Sequence, residues 1–108
     1  MFFTSTGCKN IGPDTLNEKV NSGEDFFLLD VRTPQENATH AIPGSYLIPL
    51  QDLGYRMNEL PKDKEIIAYC AISLRGYEAS LILRAAGFRD VKVLDGGMAM
   101  WPYETAIP

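Results

Sequence analysis

The sequence predicts an α/β domain built on a mostly parallel sheet. Segments that read as strands alternate with segments that read as helices along the whole chain. The strand-like runs, Phe26 to Val31 and Ile66 to Tyr69 above all, are apolar without alternation, Asp30 excepted, as expected of strands covered on both faces. Glycine and proline punctuate the elements at regular intervals, with no repeat, linker or low-complexity tract between them. At 108 residues the chain is one domain, long enough to bury its own core.

The elements follow in order. A first strand lies near Ile11. Pro13 to Asn21 is a short helix, with Leu16 and Val20 on one face, Pro13 at its start and Gly23 near its end. Phe26 to Val31 is a strand. Thr33-Pro34 opens a polar segment with a short helix running toward His40, and Ile42-Pro43-Gly44 is a turn. Tyr46 to Ile48 is a short strand stopped by Pro49. Leu50 to Leu60 is a helix with Leu53, Met57 and Leu60 in one stripe, closed by Pro61. After the solvated turn Lys62 to Glu65 comes the strand Ile66 to Tyr69. Tyr77 to Ala86 is the clearest helix, with Gly87 as its stop. Val91 to Leu94 is a strand. Gly96-Gly97 then turn the chain into a last short helix, Met98 to Trp101, broken by Pro102.

Composition narrows the function. A net charge of -4 argues against a nucleic-acid partner, which would need a basic face. A sequence pI near 4.8 points the same way. Two cysteines, Cys8 and Cys70, are too few for a disulfide scaffold and favour a reducing, cytoplasmic setting. No run approaches the length of a membrane span, and Met1 to Cys8 lacks the basic start of a signal peptide.

Chemistry concentrates where a strand hands over to a helix. In open α/β sheets ligands sit beyond the carboxyl ends of the strands, and Asp30 and Cys70 both fall there. The turn Ala71 to Arg75 must be tight, and such a turn aims successive backbone N–H groups inward as an anion-binding nest. The following helix adds the positive end of its dipole. Arg75 adds a full charge, Ser73 offers a hydroxyl, and Gly76 eases the entry into the helix. A thiolate in such a cradle is stabilised. The bland alternative is that Cys70 merely fills core, since cysteine is among the most buried residues.

Four blocks, in order and at the usual intervals, resemble a single rhodanese-like domain from about Ile11 to Trp101. They are Leu28-Leu29-Asp30-Val31-Arg32-Thr33-Pro34-Gln35-Glu36; Ile42-Pro43-Gly44-Ser45 with Ile48-Pro49-Leu50; Tyr69-Cys70-Ala71-Ile72-Ser73-Leu74-Arg75-Gly76; and Ala85-Ala86-Gly87-Phe88 with Val91, Val93-Leu94, Gly96-Gly97 and Trp101. Residues 1–10 then form an N-terminal extension, 11–104 the domain and 105–108 a tail. The resemblance implies a five-stranded parallel sheet flanked by helices on both faces. It also implies a sulfurtransferase or sulfur carrier. Cys70 would take a sulfane sulfur from thiosulfate, a persulfide or a polysulfide, hold it as a persulfide, and pass it to a thiophilic acceptor, a small thiol or a protein. Residues Ala71, Ile72, Ser73, Leu74, Arg75 and Gly76 would form the binding loop, with Arg75 holding the donor's oxyanion end or closing the loop. Asp30 and Arg32 would brace it. No metal or cofactor is implied beyond the transient persulfide.

The chain departs from the family pattern in three places. Where many relatives carry His before the Ile-x-Gly turn, this chain has Ala41; His40 lies one position earlier and reads as a surface or packing residue. The position after Glu36, commonly aromatic, is Asn37. The loop carries one fixed charge, Arg75, beside apolar Ile72 and Leu74, and is similar to loops of domains attached to coenzyme A disulfide reductases and related flavoproteins. That keeps a lipophilic or thiol-bearing donor open beside thiosulfate. Two other classes compete. Dual-specificity phosphatases of similar fold, or an arsenate reductase, would need five residues between cysteine and arginine, whereas Ala71 to Leu74 number four. A non-catalytic binding or sulfur-sensing module would often lose the cysteine. Cys8 lies outside all four blocks and reads as incidental, although it offers a resolving thiol.

Overall fold

The computed structural model describes residues 9–108, so Cys8 lies outside the described residues. Five strands form one parallel sheet in the order β1-β5-β4-β2-β3. They are β1 (Lys9–Ile11), β2 (Phe26–Asp30), β3 (Tyr46–Leu47), β4 (Glu65–Tyr69) and β5 (Val91–Leu94). The helices are α1 (Pro13–Ser22), α2 (Pro34–Thr39), α3 (Leu53–Arg56) and α4 (Leu74–Ala85). β1 begins within the segment 1–10. In the tail, Ala106 exchanges two backbone hydrogen bonds of 2.8 Å with Ala41.

Side chains of a strand alternate between faces, and the central strand shows what that does here. Ile66 and Ala68 point into one core, with Leu29, Val31, Leu53, Ala79 and Leu83, under α3 and α4. Ile67 and Tyr69 point into the other, with Leu16, Leu28, Ile42 and Leu94, under α1. Two apolar layers explain why β2 and β4 are apolar apart from Asp30 and Glu65 at their ends. The same alternation continues one residue past β4 and carries Cys70 onto the α4 side.

The caps follow the sequence. Gly23 (φ 74°) ends α1 and Gly87 (φ 99°) follows α4, both in the left-handed region. Thr33 and Glu36 form a reciprocal capping box that starts α2 with Pro34 in its first turn.

Three helices differ from expectation. The expected helix Leu50 to Leu60 is three short pieces, 3-10 turns at Leu50–Asp52 and Met57–Glu59 around the single α-turn of α3. Gly54 weakens a continuous helix here, and Pro61 ends it early. The last helix, Gly97–Met100, is likewise one 3-10 turn. The most consequential difference is α4, which begins at Leu74, not Tyr77. Leu74, Arg75 and Gly76 are therefore its first turn. A glycine so close to the loop made this turn look like part of it.

Candidate active site

Cys70 is 2 % exposed and sits between the carboxyl end of β4 and the amino end of α4. The first N–H groups of any helix lack partners within it. One of these, on Gly76, donates to Cys70 Sγ at 3.4 Å. It is one donor aimed at the sulfur, where sequence reasoning expected a ring of them. Ser73 stands at the cap of α4 but makes no side-chain cap bond.

Gly76 owes its place to space, not to backbone freedom. Its φ is not positive, contrary to the expected easing of the helix entry. A Cβ there would lie 3.1 Å from Val93 Cγ1 and 3.6 Å from the Ala68 carbonyl oxygen. The missing side chain lets α4 sit down on β4 and β5 and brings the N–H to the sulfur.

The loop is held from three directions. From below, Tyr69 is locked into the buried network expected of Asp30 and Arg32. Asp30 and Tyr69 are register partners on adjacent strands, so their side chains share a face. Asp30 Oδ1 accepts from Arg32 N (2.9 Å) and Nε (3.0 Å). Its Oδ2 accepts from Arg32 Nη2 (2.8 Å), Asn37 Nδ2 (3.0 Å) and the Tyr69 hydroxyl (3.2 Å). Arg32 Nη2 also donates to the His40 carbonyl at 2.8 Å, and its guanidinium lies 5.4 Å from the Tyr69 ring centroid. Burial pushes the Tyr69 hydroxyl above its ordinary value, which keeps it a donor. Asn37, which departs from the family pattern, is a member of this network.

From the α2 side, Arg75 is gripped by Glu36 through two parallel bonds, Nη1 to Oε1 at 2.7 Å and Nη2 to Oε2 at 3.0 Å. Arg75 is held above its usual value mainly by Glu36 and further by the neighbouring Cys70. Glu36 thereby takes two of the five guanidinium N–H donors and ties the loop to α2, in keeping with the expected loop-closing role. Glu36 was read only as part of a signature, and its partnership with Arg75 spans 39 positions. Opposite charges at two loop ends were the one signal available.

From the far side, the Gly96-Gly97 turn clasps the loop backbone. Met98 N–H donates to the Cys70 carbonyl and Ala99 N–H to the Ala71 carbonyl, each at 2.9 Å. Gly97, read as a simple turn residue, is part of this clasp. His40 is exposed, and its Nδ1 lies 3.2 Å from the Thr39 hydroxyl. The expected reading of it as a surface residue fits that position.

The Glu36–Arg75 pair gives a pH signature. Arg75, first, and then the Thr33 N–H hold the Glu36 carboxyl down to about 2 against burial, from a usual 4.5. A carboxylate depressed on folding stabilises above its unfolded value, and that contribution is lost as pH falls from 4.5 toward 2. Both side chains are about a third exposed, so solvent screening keeps the pair to about 1 kcal/mol or less. Glu36→Gln should therefore be slightly less stable than the wild type at pH 7, and the two should converge near pH 2. Acid unfolding followed by circular dichroism checks this; a constant offset between the curves would contradict it.

A parallel sheet with a cysteine at its central strand end, facing the start of a helix, defines a rhodanese-like architecture. Residues 12–103 match the family described as rhodanese-like domain, and the chain belongs to it. A protein of Allochromatium vinosum named sulfurtransferase is 35% identical over 84% of this chain and 85% of its own length. The crystal structure of a rhodanese-like domain protein from Staphylococcus aureus superposes with a TM-score of 0.86 at 31% identity, over 93% of this chain and 98% of that one. A NAD-dependent persulfide reductase from A. fulgidus is 43% identical with a TM-score of 0.70, over 86% of this chain but only 16% of that longer chain. Among the described residues, no helix is long and apolar enough to cross a membrane.

Proposed function

We propose that this domain is a sulfurtransferase or sulfur carrier that works through a persulfide on Cys70. The observation that carries the reading is the Cys70 sulfur at the strand end, under the Gly76 N–H, in a loop clamped on three sides. The chemistry follows the rules of thiol–disulfide exchange. The Cys70 thiolate attacks the outer sulfur of the donor. A new S–S bond forms, the donor's S–S bond breaks, and its electron pair leaves with sulfite from thiosulfate or with a thiolate from a persulfide. The product, Cys–S–S⁻, is again an anion at sulfur. An acceptor thiolate then attacks the outer sulfur, and Cys70 departs as thiolate.

The preformed loop lowers the cost of both steps, because the Gly76 N–H is already aimed at the sulfur and needs no reorganisation. Four residues separate Cys70 from Arg75, and α4 already takes in the last of them. So compact a ring suits one sulfur atom better than a phosphoryl group, which sets the phosphatase reading aside. Relatives named sulfurtransferase and persulfide reductase support the same reaction class. A reducing, cytoplasmic setting suits a carrier whose working form is a free thiolate.

Incubation with thiosulfate, a persulfide or polysulfide should leave the protein one sulfur atom heavier by intact mass. Reductant should return it to its starting mass. If no sulfane donor adds mass, the chain is a binding or sensing module of this fold and the proposal fails.

A further inference from the structure

The preferred donor follows from the charges around the thiol, given the persulfide chemistry proposed above. The lysines lie at the amino ends of the strands. Lys9 opens β1; Lys19 and Lys92 pair with Glu65 at the start of β4; Lys62 and Lys64 precede β4. Arg84 and Arg89 lie before β5, with Arg84 bonded to the Arg89 and Val91 carbonyls. Arg56 is bonded to Glu59, which also accepts from Tyr46 at the start of β3. Only Arg32 and Arg75 reach the carboxyl ends, each paired with a carboxylate, Asp30 or Glu36. Asp95, at the end of β5, is exposed there as well. A dianion approaching this face meets paired cations and a free carboxylate.

The apolar surface is arranged oppositely. Ile72, in the loop, and Leu74, at the start of α4, are 67% and 68% exposed, while the core residues around Cys70 are closed to solvent. Ile72 forms one wall of a groove of about 340 Å³ beside the loop, with Met98 and Ala99. Arg32, Glu36 and His40 form the other wall. Leaving Ile72 in water costs free energy that a ligand's apolar body lying in this groove would recover.

We infer that the groove between α2 and the cysteine loop, walled by Ile72 and Met98, selects an organic persulfide with an uncharged apolar body over thiosulfate as the sulfur donor. In the loading step the Cys70 thiolate attacks the terminal sulfur of R–S–SH. The S–S bond breaks, R–S⁻ leaves with its electron pair and takes up the proton, and the persulfide remains on Cys70. Nothing in the exchange requires an oxidant. The R group lies along Ile72 and Met98 and makes no demand on Arg75.

The test is the rate of mass gain with methyl, propyl and hexyl persulfides and with thiosulfate. Rates should rise about two- to threefold per methylene while the chain stays within the groove. Thiosulfate should be at least about tenfold slower than hexyl persulfide. Ile72→Lys places a free cation and removes apolar surface, and should speed thiosulfate about five- to tenfold while slowing the hexyl donor. Met98→Lys should shift the ratio the same way should the first variant fold poorly. Equal rates for thiosulfate and hexyl persulfide, no chain-length dependence, or an unchanged ratio in both variants would overturn the inference and leave the sulfurtransferase reading standing. Failure of every donor to load would overturn both.

Discussion

Gly97→Ala is expected to unfold the cysteine loop. Gly97 sits at φ 55°, where a residue with a Cβ is strained by roughly 1–2 kcal/mol before any contact is considered. The contacts are worse. A Cβ would lie 2.2 Å from the Ile72 carbonyl oxygen and 2.3 Å from that of Cys70. These are backbone atoms of the loop, and no side chain can rotate away to relieve the clash. Either the loop or the Gly96–Met100 turn must move. Moving the turn breaks the Met98 and Ala99 N–H bonds to Cys70 and Ala71. Each buried group left unpaired costs about 1–3 kcal/mol. We expect a loss on the order of 3–5 kcal/mol, and a fall in melting temperature of about 12 °C or more for a domain this size. Sulfur loading should fall with it. Thermal unfolding by circular dichroism gives the number, and a melting temperature within a few degrees of wild type would refute the clasp.

The second large effect is at Asp30. This carboxylate accepts five hydrogen bonds in a fully buried site, three of them from Arg32, itself 3 % exposed. Asp30→Asn keeps the shape but removes the charge and turns one acceptor into a donor facing other donors. Arg32 is left as a buried cation compensated only by carbonyls of the α2 segment, and breaking such a pair from one side costs about 3–5 kcal/mol. Removing both charges should cost less than the sum. Asp30→Asn combined with Arg32→Met should recover at least about 1 kcal/mol relative to additivity. Urea unfolding of the four proteins makes this a double-mutant cycle. Additive losses would mean that Asp30 and Arg32 act independently, and that the base of the loop is not the network described. The register of β2 and β4 adds a further consequence. Because Asp30 holds the Tyr69 hydroxyl, the substitution should also slow sulfur loading at Cys70, one residue away.

These two residues mark what a reader of the sequence can and cannot see. Asp30 was legible, because a carboxylate at the end of an apolar strand, two residues before an arginine, has few other ways to be satisfied. The strands, their parallel arrangement and the caps of α1 and α4 were legible for the same reason: apolar runs, prolines and glycines act locally. The boundary of α4 was not. Its first turn contains Gly76, a poor helix former, and only the approach of Val93 and Ala68 from other strands explains why glycine is needed. Glu36 and Gly97 escaped notice as site residues because their partners lie in other elements. Arg75 is 39 positions from Glu36, and the carbonyls that exclude a side chain at Gly97 belong to Cys70 and Ile72. Such requirements become visible only when the sheet order is known.

The central claim is that Cys70 carries the transferred sulfur, and intact mass of two variants after exposure to one donor tests it most directly. Cys8→Ser should gain one sulfur atom as the wild type does, and reductant should remove it. Cys70→Ser should gain nothing. Mass gain on Cys70→Ser, or its loss in Cys8→Ser, would place the chemistry on the other thiol and contradict the account.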